Sequence, residues 1–194
     1  MDRSLAPTFA QPFDMLTACH DRLQRMLALL DRLRAHLAEH GADEQARQAA
    51  RDVMRYFDLA SPQHHRDEEL HVFPTLLAQG EPAQAELVAR LLRDHRAMDA
   101  AWTQARAVLA AIAEGALAAL PAQAQAALDS FASLHAEHLR AEEETAYPAA
   151  QALLDTEAMA AMGAEMGSRR GVRIARSGDG ATPSGEGAPK NDRP

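Results

Sequence analysis

The chain has 194 residues, 47% of them apolar and only 4% aromatic, which suits one helical domain with an appendage, so the expected fold is all-α. Its formal charge of −8 is uneven, with six basic and three acidic residues over 167–194 against 14 basic and 25 acidic before them; so acidic a body excludes non-specific nucleic-acid binding. Cys19 is the single cysteine, which excludes an internal disulfide and a thiolate metal cage; the N-terminus lacks a secretory apolar core and no run of about 18 apolar residues occurs, so the expectation is a cytoplasmic protein that neither binds nor spans a membrane.

Residues 1–11 carry no helical period and read as an arm. From Pro12, Phe13, Leu16, His20, Leu23, Leu27 and Leu30 recur at spacings of three and four, predicting a first helix that ends near His40 and Gly41. Asp43 is a plausible N-cap for a second helix over about 44–78, whose inner stripe is Val53, Phe57, Ala60, His64 and Glu68. Pro62 removes a hydrogen bond from its interior and predicts a kink near Asp58 to Ser61, with Pro74 acting similarly beyond Leu70. After the turn at Gly80-Glu81-Pro82, a third helix carries Leu91, His95, Met98, Trp102 and Leu109 towards Gly115. The fourth starts at Pro121, carries Leu128, Phe131, Leu134, His135, His138 and Glu142 inward, and ends between Ala150 and Leu154. Residues 155–166 read as a short fifth helix capped by Asp155 or Thr156, and the Gly-, Pro- and Ser-rich 167–194 as a disordered tail.

One stretch is written twice. HHRDEELHVFP at 64–74 and HLRAEEETAYP at 138–148 superpose with a shift of 74, matching His64 with His138, Glu68 with Glu142, Glu69 with Glu143 and Pro74 with Pro148. In each copy a His and a Glu four residues apart share a helix face. His20 precedes the first copy by about the distance that His95 precedes the second. Histidines and glutamates on inner stripes are costly to bury unless they are paired or bind metal. Nitrogen and oxygen donors without thiolate suit iron, manganese or zinc. Six protein ligands exceed the need of one tetrahedral zinc, so two ions fit better than one.

The order His, His-x3-Glu, His, His-x3-Glu resembles the hemerythrin-like, or HHE cation-binding, family over about residues 12–152. The resemblance implies an antiparallel up-down-up-down four-helix bundle, here over 12–154, around a non-heme centre of two irons joined by an oxo or hydroxo bridge, with zinc or manganese as alternatives. It assigns His20, His64, His95 and His138 as terminal ligands and Glu68 and Glu142 as bridges. Oxygen carriers of the family use a fifth histidine one turn along the third helix; here those positions are Leu91 and Asp99. His65 and His135 are therefore candidates for the missing ligand. Glu69 and Glu143 suit pairing with Arg66 or Arg140, or hydrogen bonds to ligating imidazoles, better than ligation. His71 faces Thr145 in the other copy and reads as an ordinary polar residue.

The leading functional expectation is a binding or sensing module for dioxygen, nitric oxide or iron itself, with the small diatomic as partner and no protein partner identified. A diiron oxidase, peroxidase-like or nitric-oxide-processing enzyme is the second reading, although the paired E-x-x-H of ferritin-like oxidases is absent. A structural zinc bundle is the third.

Overall fold

The computed structural model describes residues 8–172, and every regular element among them is helical. The expected arm before residue 8 and tail beyond residue 172 lie outside the described residues. Helix α1 (Pro12–His40) starts on a proline, whose missing N–H is no loss in a first turn, and stops at Gly41, where a φ of 69° favours glycine. Asp43 opens α2 (Glu44–Asp67) by accepting the Ala46 N–H at 2.8 Å. A π-helical turn (Glu68–Val72) leads without a break into α3 (Phe73–Gln79).

Helix α4 (Pro82–Ala113) begins with Glu81 and Gln84 capping each other. Helix α5 (Ala122–Ser133) follows Pro121, and a single irregular residue, Leu134, separates it from α6 (His135–Ala141). A second π-helical turn (Glu142–Ala146) connects α6 to α7 (Tyr147–Leu153), and α8 (Thr156–Arg169) is capped by Asp155. Helix α1 packs on α2, α2 on α4, α4 on α5, and α8 on α1.

Two apolar clusters form the core. One includes Leu23, Leu30, Leu37, Val53, Phe57, Leu109 and Phe131; the other includes Phe13, Leu16, Val72, Phe73, Leu91, Tyr147 and Met162. His20, His64, His95 and His138 each stand in sequence between a residue of the first cluster and one of the second, so the imidazoles form a polar layer between them. Among the described residues no helix is long and apolar enough to cross a membrane.

The prolines disturb their helices in two different ways, and the end of the last helix is corrected. Pro62 lies inside α2 without ending it, because the buried stripe runs through it in phase, from Tyr56 and Phe57 to Ser61, His64 and His65. Beyond each pair of glutamates the helix widens. In the π turns the Phe73 N–H donates to the Glu68 carbonyl and the Tyr147 N–H to the Glu142 carbonyl, one residue further back than in an α-helix. Pro74 and Pro148 follow immediately, and the wider turn relieves the clash of each ring with the carbonyl four residues back. Finally, α8 continues past Met166 to Arg169, because Arg169 and Arg170 find acceptors in Asp67, Gln63 and Glu165.

Candidate metal centre

The polar layer joins one histidine from α1, one from α4 and a His-x3-Glu pair from each copy of the repeat. His20, His64, Glu68, His95, His138 and Glu142 are all buried, the two glutamates completely. Each carboxylate divides its oxygens between two sides. Glu68 turns Oε1 towards His64 Nε2 (3.3 Å) and His20 Nε2 (3.9 Å), and Oε2 towards His95 Nε2 (3.5 Å). Glu142 turns Oε2 towards His20 Nε2 (3.3 Å), and Oε1 towards His138 Nε2 (3.0 Å) and His95 Nε2 (3.7 Å). Ligand atoms of His20, His64, Glu68 and Glu142 all lie within 4.8 Å of one another, as do those of His95, His138 and Glu142.

The layer has more acceptors than protons. His64 Nε2, His95 Nε2, Glu68 Oε2 and both Glu142 oxygens are buried without a hydrogen-bond partner. Such orphans are costly in an apolar interior, and cations facing their lone pairs satisfy them. The residues therefore fit a metal centre of nitrogen and oxygen donors.

Electrostatics without metal point the same way. Burial drives the His64 imidazole well below its usual range, helped by the neighbouring His20, so it presents lone pairs rather than charge. Burial and the adjacent Glu142 push Glu68 well above the usual carboxylate range. Burial would raise Glu142 as well, but the surrounding imidazoles of His138, His20 and His95 hold it well below that range. The His95 imidazole is lowered by burial, yet Glu142 and Glu69 outweigh this and raise it.

The second glutamate of each copy reaches across to another helix. Glu69 accepts from His95 Nδ1 at 2.8 Å, and Glu143 accepts from His20 Nδ1 at 2.8 Å. Each bond fixes the tautomer that leaves Nε2 facing the layer. Neither glutamate pairs with Arg66 or Arg140; Arg140 pairs with Glu137. His65 is stacked on His95, ring centroids 3.9 Å apart, and does not join either group of converging ligand atoms. His135 does not join them either, and its Nδ1–H donates to the Phe131 carbonyl at 3.0 Å. His71 pairs with Glu165 of α8 at 2.7 Å.

Two contributions escaped the sequence reading. Tyr147, there only an aromatic before proline, donates its hydroxyl to Glu68 Oε1 and lies 2.9 Å from His20 Nε2. Burial, then Glu68 and Glu142, holds its phenol well above the usual range. Asp67, next to Glu68, is a fully buried carboxylate paired with Arg169 and Arg170. The superposition of Tyr147 on Phe73 was the one available signal for the first; nothing local signalled the second.

Four helical segments directing imidazoles and shared carboxylates into a buried layer define a helical cation-binding protein. The sequence model of the hemerythrin HHE cation binding domain matches residues 11–150, and the chain belongs to that family. A Haemophilus influenzae protein described as an uncharacterized protein is 32% identical over 95 residues, covering 49% of this chain and 55% of that one. The match thus spans about half the length of each.

Proposed function

We propose that the chain is a non-heme diiron protein that binds or senses a small diatomic molecule, dioxygen or nitric oxide, in the cytoplasm, and that its main helices form an antiparallel up-down-up-down bundle around the centre. The observation that carries the reading is the division of each buried carboxylate between two sets of imidazoles, which suits two ions bridged by Glu68 and Glu142. His20 and His64 would hold one ion, His95 and His138 the other. Bound iron would supply reversible coordination of the diatomic and exchange of electrons with it.

The chain's own residues set the conditions. Glu69 and Glu143 orient His95 and His20. Val72, Phe73, Met98 and Phe131 are nearly inaccessible and keep bulk water away. His65, resting on His95, adds a neutral face, because burial holds its imidazole well below the usual range.

Elemental analysis of protein expressed in iron-supplemented medium tests the reading, with spectra of the reduced form before and after air or nitric oxide. About two irons per chain are expected, as two bridging carboxylates require two ions; Glu68→Ala and Glu142→Ala should each lower that stoichiometry and change the spectrum. Full iron with unchanged spectra in both variants overturns the assignment.

A further inference from the structure

The repeat that builds the site is chemically lopsided. The shift of 74 places Phe73 on Tyr147, and each ring covers one imidazole. Phe73 lies 5.5 Å from His95 and Tyr147 lies 5.3 Å from His20, centroid to centroid. Phe73 can only pack, whereas Tyr147 directs a hydroxyl into the polar layer.

That oxygen stands where a ligand would stand. His20 donates its Nδ1 proton to Glu143, so its Nε2 presents a lone pair. The phenol oxygen reaches two of the proposed donor atoms at once, Glu68 Oε1 and, at 2.9 Å, His20 Nε2. The spacing matches that of the other donors: His20 to Glu142 is 3.3 Å and His64 to Glu68 is 3.3 Å. Donors at right angles, each about 2.1 Å from one ion, are about 3 Å apart.

We propose that Tyr147 Oη is a ligand of the ion held by His20, His64 and Glu68, so that the two metal positions are chemically unlike and the small molecule binds at the His95 and His138 position, which faces Phe73. This rests on the diiron reading above. The phenol proton leaves to solvent as the cation takes its place. The first position would then have the phenol oxygen as an added protein donor, whereas the second has no counterpart to it.

The test is resonance Raman and visible spectroscopy of the full-length ferric protein, with iron counted in the same samples. The chain has two tyrosines, and the Tyr56 hydroxyl donates to the Cys19 carbonyl, so Tyr56→Phe is the control. The expected result is a phenolate-to-iron band in wild type and Tyr56→Phe whose ring modes shift on deuteration of tyrosine. Tyr147→Phe should lose the band, retain its helical circular dichroism, and hold the first ion at least about 10-fold more weakly, the scale for a neighbour that tunes a metal ligand. Two irons in wild type without such a band, or a band that survives in Tyr147→Phe, overturns this assignment and leaves the diiron reading standing. Wild type that takes up no iron overturns both. Should Tyr147→Phe fail to fold, the deuteration shift in wild type decides alone.

Discussion

At the residue scale, the organising device is a division of labour within each Glu-Glu pair. Glu68 and Glu142 point into the polar layer, while Glu69 and Glu143 leave it and orient a histidine on another helix. Removing an orienting carboxylate frees the imidazole to rotate and to change tautomer. Glu69→Gln and Glu143→Gln should therefore each weaken metal affinity by about 10–100-fold while reaching full stoichiometry at saturating metal. Competition against a chelator measures this, and unchanged affinity in both would show that the bonds orient nothing. His135 supplies a second residue-scale prediction. Burial lowers its pKa to about 4 despite hydrogen bonds to backbone carbonyls. Its folded value lies below its unfolded value, so the stability tied to its neutral form is complete above about pH 6.5 and is lost as pH falls towards 4, up to about 3 kcal/mol. Denaturant titrations of metal-free His135→Leu should show a shallower acid slope than wild type, and the variant should still load two irons. A variant that loads one would make His135 a ligand after all.

At the scale of elements, the two copies of the repeat explain what the sequence made legible and what it hid. His-x3-Glu is a local pattern whose geometry follows from one helical turn, so the residues that converge could be read off once the repeat was seen. The π turns were hidden because an extra residue in a helix leaves no mark on an apolar stripe only one turn long; the prolines after them signalled disturbance without its form. Pro62 does not break α2. Its local cost is real, but Val53, Tyr56, Phe57, His64 and His65 are buried on both sides of it, and that packing keeps α2 in one piece. Since Pro62 itself is exposed, its replacement forfeits no core contact. Pro62→Ala should then restore the missing helix hydrogen bond and stabilise the protein by about 1–3 kcal/mol, less the smaller entropic cost of a freer unfolded chain. Chemical denaturation measures the gain. A loss of stability would mean that the proline shapes α2 for another purpose.

At the scale of the whole molecule, α8 is tied to the centre through one buried charge. Asp67 is completely inaccessible, adjoins Glu68, and meets Arg169 and Arg170, while Glu165 of the same helix meets His71 one turn beyond. This tether spans about a hundred residues of sequence and has no local period, which is why the sequence pattern ends the last helix at Met166 and reads everything after it as a disordered tail. Instead, α8 runs to Arg169, and Arg169 and Arg170 both pair with Asp67. A chain ending at Met166 would lose both guanidinium partners of Asp67, and breaking a buried ion pair from one side costs about 3–5 kcal/mol because the remaining charge stays desolvated. The destabilised carboxylate would move the segment carrying Glu68, so metal affinity should fall together with melting temperature. A chain ending at residue 172 keeps both arginines and should match the full-length protein in both measurements. Restoring the balance by Asp67→Asn in the shorter chain should recover much of the melting temperature, since a neutral amide can be buried at lower cost than an unpaired charge. Equal melting and metal binding in the chains ending at Met166 and at 172 would show that α8 is held without the Asp67 pairs, and that the buried aspartate finds other compensation.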